Sequence, residues 1–328
     1  MHFPGWPRIV YMDVTGRCNG RCIICQRSSE YADIEACNWD IDKKIIDKTM
    51  LFVVNAESVD VTGYGEFLLS PHKENILGKC RESLTKVSMT TNGTFLSQNK
   101  NLIENTIGKF GRLVISIQSH KKELYEKLAP GLSYEAMIDG IKHASDLCES
   151  HVIVSHTIHE MNIEYLPEFI EWFLEQDGLE ILEVQHIIMQ RPAHKELSLT
   201  NHRKLSDKYI AMAMKYNSKE IHLPILFSDV PQKPQYEKFR CAAPFEQLYI
   251  GNDGALKLCC HMPIIEGANA NDFDNPIELW HNKEFDRIRK TMTAHKIPKE
   301  CRDCPQMNFY CEVDKSSFVS AFYDGRTE

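Results

Sequence analysis

Three cysteines near the amino end of the chain have the residue type and spacing for metal chemistry. Cys18, Cys22 and Cys25 form a C-x3-C-x2-C pattern, so one short loop carries three thiols. An iron–sulfur cube has four irons, and three thiolates leave one of them without a protein ligand. A small molecule could bind and react at that iron. Structural zinc or unrelated free thiols are the alternative, although no matching second ligand pair follows at the distance usual for zinc knuckles.

A second cysteine set lies in the last quarter of the chain. Cys241 and Cys259 flank a hairpin pattern, and Cys301 and Cys304 form a C-x2-C pair after a predicted helix. These four thiols are enough to bind a second cube completely. They would also satisfy a tetrahedral zinc ion, so a zinc ribbon remains open on spacing alone.

Polar residues at predicted strand ends are candidates for binding a polar ligand. Glycines let a backbone approach a ligand closely, and a neighbouring carboxylate can accept hydrogen bonds from an ammonium group. Polar residues directed into a sheet interior need partners, which a polar cofactor supplies. The candidates are Gly63, Tyr64, Gly65 and Glu66 after the second strand, Asn92 after the third, Ser116 and Gln118 on one face of the fourth, and Arg191 after the sixth.

Short β-rich runs alternate with helical patterns from residue 9 to about 190, which predicts an α/β fold with a parallel sheet. The predicted strands are 9–15, 58–63, 86–91, 112–119, 151–158 and 180–188. The predicted helices are 40–53, 73–83, 98–108, 134–149, 165–176 and 200–217, with a further helix over 277–295. The cysteine loop follows the first strand.

The chain is expected to form two domains. Residues 1–218 are the α/β domain, residues 219–238 are a proline-containing linker, and residues 239–328 are a small domain built from a hairpin over 247–258 and one helix. The Gly-Asn-Asp-Gly segment at 251–254 supplies the hairpin turn.

The triad, the Gly63–Glu66 segment one βα unit later and the second cysteine set resemble the radical S-adenosylmethionine (radical SAM) superfamily with a C-terminal SPASM or twitch extension. The resemblance implies a partial (β/α)6 barrel whose active site lies at the carboxyl ends of the strands. It implies a 4Fe-4S cluster on Cys18, Cys22 and Cys25 whose free iron holds SAM. It also gives Glu66 a contact with the SAM amino group and gives Ser116 a SAM contact.

The second cysteine set resembles the shorter twitch form, because too few cysteines remain for a third cube. Cys241, Gly254 and Cys259 match the C-x12-Gly-x4-C segment, and Cys301 and Cys304 complete the ligands of one auxiliary 4Fe-4S cluster. Cys260 and Cys311 stay unassigned, and either thiol is a candidate catalytic hydrogen donor. The single-cluster pattern resembles the 2-deoxy-scyllo-inosamine dehydrogenases and the related sugar and peptide epimerases.

The resemblance implies an enzyme that cleaves SAM to a 5'-deoxyadenosyl radical and takes hydrogen from a C–H bond. A first strand at residue 9 leaves no room for a leader-peptide domain, which favours a small polar substrate such as a sugar or aminocyclitol, oxidised or epimerised. One alternative is a maturase or epimerase of a ribosomally made peptide. Another is a zinc-stabilised binding protein without radical chemistry.

Composition and charge restrict the partners and the compartment. Hydrophobic residues make up 43% and charged residues 26% of the 328 residues, values typical of a soluble globular enzyme. The net charge of -8 and the lack of a basic run argue against nucleic acid as the main partner. Without a signal peptide or membrane-spanning run, the protein is expected in the cytoplasm, with a flavodoxin or ferredoxin as reductant.

Overall fold

The computed structural model describes residues 5–25, 27, 37–107, 111–147, 152–186, 196–199, 203–218, 220–223, 241–302 and 304. Its centre is a nine-stranded sheet in the order β7-β6-β5-β4-β3-β2-β1-β8-β9. The strands are β1 Ile9–Met12, β2 Ser58–Asp60, β3 Lys86–Thr91, β4 Arg112–Ser116, β5 Val152–Ile158, β6 Ile181–His186, β7 Ile221–His222, β8 Gln247–Ile250 and β9 Leu256–Lys257.

All neighbouring strands from β7 to β8 pair in parallel, and β9 alone is antiparallel to its neighbour. Each of the six predicted strands is present, and the consecutive order of β1 to β6 confirms the predicted α/β fold with a parallel sheet. The carboxyl ends of β1 to β6 therefore lie along one edge of the sheet.

Helices lie between the parallel strands and also follow β9. They are α1 Lys43–Asn55, α2 Lys73–Ser83, α3 Lys100–Thr106, α4 Lys122–Leu128, α5 Tyr134–Leu147, α6 Leu166–Leu174, α7 Arg203–Tyr216, α8 Ala243–Glu246, α9 Pro276–Trp280 and α10 Lys283–Thr293. Three-residue 3-10 helices cover Phe67–Leu69, Ser97–Asn99, Ile163–Tyr165, Ala270–Asp272 and Lys299–Cys301. No helix in the described ranges is both long enough and apolar enough to cross a membrane.

The two faces of the sheet differ in polarity because side chains alternate along each strand. The apolar face is buried, with Val10, Val59, Val87 and Leu113 as examples. The opposite face is polar, and strand pairing places its residues side by side across the sheet. We define the polar face by Tyr11, Asp60, Ser88, Arg112, Ser116, Ser155, Glu183, Tyr249 and Lys257.

The hairpin β8–β9 extends the main sheet, although the sequence suggested a separate small domain. Residues of β1 from Ile9 to Met12 pair in parallel with Gln247 to Ile250 of β8. Arg8 strengthens this junction, since its guanidinium reaches Glu57 at 2.8 Å and Glu246 at 3.1 Å. The second cysteine set is thereby joined directly to the edge of the first domain's sheet.

Three local features differ from the sequence expectation. Helix α4 lies in a segment where no helix was expected. Strand β7 falls inside the segment assigned as a linker and pairs with β6, while residues 224–240 lie outside the described residues. The single helix expected over 277–295 is two helices, because the side chain of Asn282 accepts hydrogen bonds from the amides of Glu284 and Phe285 and starts α10.

Candidate functional site

The cysteine loop follows β1 and is fixed to its surroundings by backbone hydrogen bonds. The amides of Arg21 and Ile23 donate to the carbonyls of Pro130 and Leu128 at 2.8 and 2.9 Å, which attaches the loop to the end of α4. Within the loop, the amide of Cys25 donates to the carbonyl of Cys22 at 2.9 Å and forms a turn. These hydrogen bonds hold the loop in one position against the end of α4.

Arg27 is buried beneath the cysteine loop, with 3% of its surface exposed. Its guanidinium donates to the carbonyls of Gly16 at 2.7 Å and Gly20 at 3.4 Å, and to Oδ1 of Asn38 at 2.7 Å. These three bonds connect both sides of the loop that carries Cys18. Sequence reasoning missed Arg27, because a single arginine after a cysteine motif gives no sign that it is buried.

The three thiols of the loop are half-buried and influence one another electrostatically. Burial, followed by repulsion from Cys25 and Cys18, raises the pKa of Cys22 to about 12. Burial also raises the pKa of Cys18, although hydrogen bonding from Gly20 and the charge of Arg27 oppose the shift. Three thiolates so placed repel each other, and a positively charged metal centre relieves that repulsion.

The Gly63–Glu66 segment lies directly against the cysteine loop. The amide of Gly65 donates to the carbonyl of Thr15 at 2.9 Å, and the amide of Glu66 donates to the carbonyl of Arg17 at 2.7 Å. A Cβ atom added at Gly63 would clash with the carboxylate of Asp13. The glycine pattern is required for this close approach of two backbones.

The carboxylate of Glu66 is used inside the protein. Glu66 is 2% exposed, and its two oxygens accept hydrogen bonds from the hydroxyl of Thr91 at 2.9 Å and the amide of Asn92 at 2.8 Å. Burial raises the pKa of Glu66, and these hydrogen bonds oppose the shift. Glu66 therefore ties the end of β3 to the cysteine loop.

Asn92 lies beside the cysteine triad. Its Nδ2 is 3.9 Å from Sγ of Cys18 and 2.9 Å from Oδ1 of Asn19. The tertiary structure thus brings Asn92, one of the predicted cofactor-binding residues, into contact with a candidate iron ligand.

Two other predicted cofactor-binding residues lie at the end of β4. Ser116 is half-buried on the polar face. Gln118 is 6% exposed, and its Oε1 accepts no hydrogen bond from the described residues. A buried acceptor without a partner fits a site where a polar ligand supplies the donor.

Tyr125 of α4 carries a second buried polar atom without a partner. The side chain is fully buried, and its hydroxyl has no hydrogen-bond partner in the described part of the chain. Burial raises the pKa of Tyr125, and the nearby charges that add to this effect are first Cys22, then Glu66 and Cys18. This hydroxyl is therefore an unused donor beside the cysteine triad, and sequence reasoning missed it.

The second cysteine set comes together around Cys241. Burial and repulsion from Cys241 and Cys304 raise the pKa of Cys301 to about 12. The pKa of Cys259 is also about 12, raised by burial and by the charges of Cys260 and Cys241. Cys304 closes a turn through its amide, which donates to the carbonyl of Cys301 at 3.3 Å. The hairpin and the segment after α10 thus bring these four thiols near one another.

Cys260 has a different environment from Cys259. Its side chain is exposed, and the charges that act on it come from Lys257 and Asp60 of the polar face. The carbonyl of Cys260 accepts a hydrogen bond from Nζ of Lys257 at 3.3 Å. Cys260 therefore adjoins the polar face, but it lies in the turn after β9, where strand alternation does not set its direction.

Asp13 links the polar face to the Gly63–Glu66 segment. Asp13 is 4% exposed, accepts a hydrogen bond from the amide of Tyr64 at 3.1 Å and another from the hydroxyl of Tyr249. Burial raises the pKa of Asp13 to about 6. The side chain of Tyr64 itself is exposed.

The remaining candidates are placed as follows. Arg191 and Cys311 lie outside the described residues. His156 stacks on Phe169 with ring centroids 3.9 Å apart, and burial lowers its pKa to about 4, so it is a neutral core residue. Among the described residues, no three side chains of ligand type converge on a point that would hold a single metal ion. A cube makes a different demand, because each thiolate binds its own iron.

Two family profiles match the chain. The profile of the Radical SAM superfamily matches residues 12–173. The SPASM profile, described as an iron-sulfur cluster-binding domain, matches residues 241–305. The first range contains the cysteine triad, and the second contains Cys241, Cys259, Cys301 and Cys304.

Curated relatives of this chain include GTP 3',8-cyclases. The chain is 28% identical over 167 residues to a probable GTP 3',8-cyclase of Methanocaldococcus jannaschii, covering 50% of this chain and 54% of that protein. It is 27% identical over 172 residues to the GTP 3',8-cyclase of Limosilactobacillus fermentum, covering 51% of each. The chain thus spans about half the length of these two relatives.

Similar solved structures include SuiB of Streptococcus suis bound to S-adenosylmethionine, with a TM-score of 0.61, 16% identity and coverage of 87% of this chain and 68% of that chain. SuiB has also been solved bound to its precursor peptide SuiA. A second similar structure is anSMEcpe with bound AdoMet, with a TM-score of 0.57, 16% identity and coverage of 91% and 86%. At these identities the likeness shows the fold alone.

Proposed function

The chain belongs to the radical SAM superfamily and carries a C-terminal SPASM domain, and from this premise we propose that it cleaves SAM reductively and takes a hydrogen atom from a C–H bond of a small polar substrate. The observation that carries this proposal is the cysteine loop, which holds Cys18, Cys22 and Cys25 together beside the carboxyl ends of the strands. When bound, the cluster supplies one electron that breaks a C–S bond of SAM and yields the radical that abstracts hydrogen.

The residues present fit such a cluster. Mutual repulsion among the three thiolates favours a positively charged centre, and the unused hydroxyl of Tyr125 provides a donor beside Cys22. Arg27 holds the loop from beneath. The family membership implies the 4Fe-4S cluster and SAM, and we assign the cluster ligands to Cys18, Cys22 and Cys25.

For SAM itself we assign the strand ends next to this loop. Gly63 and Gly65 keep the backbone free of side chains there, and Ser116 and Gln118 offer a hydroxyl and an unpaired amide oxygen. An unpaired buried acceptor suits the hydroxyl and amino donors of the nucleoside part of SAM. Glu66 acts indirectly in this arrangement, because its carboxylate holds Asn92 in place.

We assign one auxiliary cluster to Cys241, Cys259, Cys301 and Cys304. Their sulfurs come from two distant segments, and Cys241 acts electrostatically on both Cys259 and Cys301. Four thiolates would leave such a cluster without an open iron, and it would supply electron transfer. SPASM domains imply auxiliary iron–sulfur clusters, and we propose that this chain holds one.

The polar face is the proposed substrate surface. It presents carboxylates, hydroxyls and cations, including Asp60, Ser88 and the ion pair of Arg112 with Glu183 at 2.7 Å. Such a surface suits a ligand rich in hydroxyl or amino groups, which supports a sugar or aminocyclitol.

The fate of the substrate radical separates two reactions. Oxidation to a carbonyl requires loss of one further electron and one proton, and a cluster held by Cys241, Cys259, Cys301 and Cys304 would accept the electron. Epimerisation requires a hydrogen atom delivered from the opposite face, which the thiol of Cys260 supplies. The resulting thiyl radical must then receive one electron and one proton, with a flavodoxin or ferredoxin as the electron source.

The decisive experiment combines iron analysis with SAM cleavage under anaerobic conditions. Two cubes correspond to about eight irons per chain, and a zinc-stabilised binding protein contains none. With a strong reductant, the chain is expected to form 5'-deoxyadenosine, and Cys18→Ala, Cys22→Ala or Cys25→Ala is expected to abolish this reaction. A wild-type chain that binds iron fully but leaves SAM intact contradicts the proposal.

A peptide substrate is the second candidate, and the SuiB complex with its precursor peptide is the observation that favours it. Aminocyclitols and short peptides, offered as competing substrates, distinguish the two proposed substrate classes. Only a true substrate takes up deuterium from 5'-deoxyadenosine or loses deuterium to it. Cys260→Ala then distinguishes the reaction types. An epimerase that uses this thiol stops after abstraction, whereas a dehydrogenase continues to turn over.

A further inference from the structure

The side-chain amide of Asn92 is placed to donate a hydrogen bond to a cluster ligand. Its Nδ2 lies 3.9 Å from Sγ of Cys18, a separation compatible with an N–H···S bond. The second hydrogen of the same nitrogen is directed to Oδ1 of Asn19 at 2.9 Å. An asparagine amide has two N–H donors, so both contacts exist together.

The orientation of the Asn92 amide is fixed by a group that can only donate. The backbone amide of Thr94 donates to Oδ1 of Asn92 at 3.0 Å. The atom facing Thr94 must therefore be oxygen, and the atom facing Cys18 must be nitrogen. The N–H···S direction follows from the hydrogen-bond network.

A closed ring of hydrogen bonds holds this amide in place. The hydroxyl of Thr94 donates to Oδ1 of Asn92 at 2.6 Å, and Nδ2 of Asn19 donates to that hydroxyl at 3.0 Å. Glu66 fixes the backbone of Asn92 by accepting its amide at 2.8 Å. The donor is thus positioned by residues of the loop after β1, the loop after β2 and the turn after β3.

We propose that Asn92 donates a hydrogen bond to the thiolate of Cys18 and thereby raises the reduction potential of the SAM-binding cluster, with Thr94 and Asn19 as positioning residues. Reduction adds negative charge to the cluster and its ligands, so a donor to a ligand sulfur stabilises the reduced state more than the oxidised state. This inference rests on the proposed function, because it takes Cys18 to be a cluster ligand.

The test is a redox titration of the anaerobic holoenzyme followed by electron paramagnetic resonance. The signal that changes when SAM is added identifies the cluster with the open iron. Asn92→Leu removes the donor without adding charge, and Asn92→Asp replaces the N–H with oxygen while retaining the acceptor for Thr94. Both variants are expected to shift the midpoint potential of that signal to more negative values, without moving that of the auxiliary cluster.

Asn99→Asp is the matched control, since it adds the same charge in the connection after β3. Within the described residues, the side-chain amide of Asn99 donates only to the carbonyl of Phe95, at 2.8 Å. Its midpoint is expected to equal that of the wild type. A shift in Asn92→Asp but none in Asn92→Leu assigns the effect to added charge and overturns the inference. An unchanged midpoint in both Asn92 variants also overturns it.

Thr94→Val decides the question if Asn92 variants do not load iron. This variant keeps Asn92 and removes the hydroxyl that orients it, and we expect a smaller shift in the same negative direction. No shift in a fully loaded Thr94→Val chain overturns the inference. Failure of the proposed function itself gives a different result, because the wild type then shows no cluster signal that responds to SAM.

Discussion

The amide of Gly65 donates a hydrogen bond to the carbonyl of Thr15 over 2.9 Å, and a Cβ atom at Gly65 would lie only 2.5 Å from that same oxygen. The contact between these two loops therefore exists only because Gly65 has no side chain. Gly65 and Thr15 together set the position of the Gly63–Glu66 segment against the cysteine triad.

Gly65→Ala is expected to lower the free energy of unfolding by about 1–3 kcal/mol, since backbone atoms must move to admit the methyl group. The variant is also expected to bind less iron at the triad. Gly78→Ala is the matched control, because a Cβ at Gly78 in α2 meets nothing within 4 Å. It is expected to gain about 0.5–1 kcal/mol, as measured by urea unfolding. Equal changes in the free energy of unfolding for the two substitutions contradict the close approach of Gly65 to Thr15.

Arg27→Ala is expected to release the cysteine loop, since it removes the hydrogen bonds to Gly16, Gly20 and Asn38. Hydrogen bonds to charged groups contribute about 1.5–3 kcal/mol each, so a large loss of stability and of triad iron is expected. Iron content and thermal unfolding measure both effects.

The control for Arg27 is Arg17→Ala. Arg17 belongs to the same loop, but its guanidinium is exposed and pairs with Asp40 at 2.7 Å. Exposed pairs contribute about 0–1 kcal/mol. If the Arg27→Ala chain is as stable and binds as much iron as the Arg17→Ala chain, buried Arg27 does not hold the cysteine loop in place.

Tyr125→Phe is expected to stabilise the cluster-free protein but not the loaded protein. Without the cluster, the substitution removes a buried hydroxyl that has no partner among the described residues and stabilises the chain by about 1 kcal/mol. With the cluster bound, that gain disappears if the hydroxyl donates to the cluster or its ligands. Unfolding of both forms gives the comparison.

Tyr134→Phe provides the control, since the two tyrosine rings pack edge to face with centroids 5.7 Å apart. The hydroxyl of Tyr134 donates to the carbonyl of His120 at 2.6 Å. Its removal is expected to destabilise both forms equally. A gain for Tyr125→Phe that persists unchanged in the loaded protein means that the hydroxyl has no role at the cluster.

Cys301→Ala is expected to remove the auxiliary cluster, about four irons per chain, and to leave the triad cluster in place. Reductive SAM cleavage is expected to continue while substrate oxidation stops, because the electron acceptor is gone. Cys80→Ala is the matched control, since Cys80 is a fully buried core residue of α2. Loss of SAM cleavage in Cys301→Ala, with triad iron retained, contradicts this division of roles.

Asp13 is expected to make stability depend on pH. Its pKa rises from 3.8 to about 6 on folding because it is buried, so the folded chain binds the proton more tightly than the unfolded chain. Its contribution to stability therefore increases as the pH falls from about 6 to about 4, and the ionised carboxylate is disfavoured above that range. The difference between wild type and Asp13→Asn should change by about 3 kcal/mol over this range.

Urea unfolding of the cluster-free chains between pH 4 and 7 measures this difference. The comparison with Asp13→Asn is necessary because His156 and His159 act in the opposite direction. Burial lowers the pKa of each to about 4, so the stability they contribute is lost as the pH falls below 6.5. Parallel curves for wild type and variant mean that Asp13 does not titrate in this range.

The sequence by itself indicated a radical SAM domain with a SPASM extension, together with the order of the strands. The spacing of Cys18, Cys22 and Cys25 predicts an incomplete ligand set, and the short β-rich runs between helical patterns located strands β1 to β6 within a few residues. Local patterns suffice for these features because both depend on neighbours along the chain.

The tertiary structure decided which groups meet. Asn92 reaches Cys18 across 74 positions of sequence, and β8 pairs with β1 although 238 positions separate Arg8 from Glu246 at their junction. The buried positions of Arg27 and Tyr125 also depend on packing between distant segments. The periodicity of hydrophobic residues predicts which face of a helix or strand is buried. It does not predict which other element packs against that face, because many pairings of elements fit the same pattern until the whole core is packed.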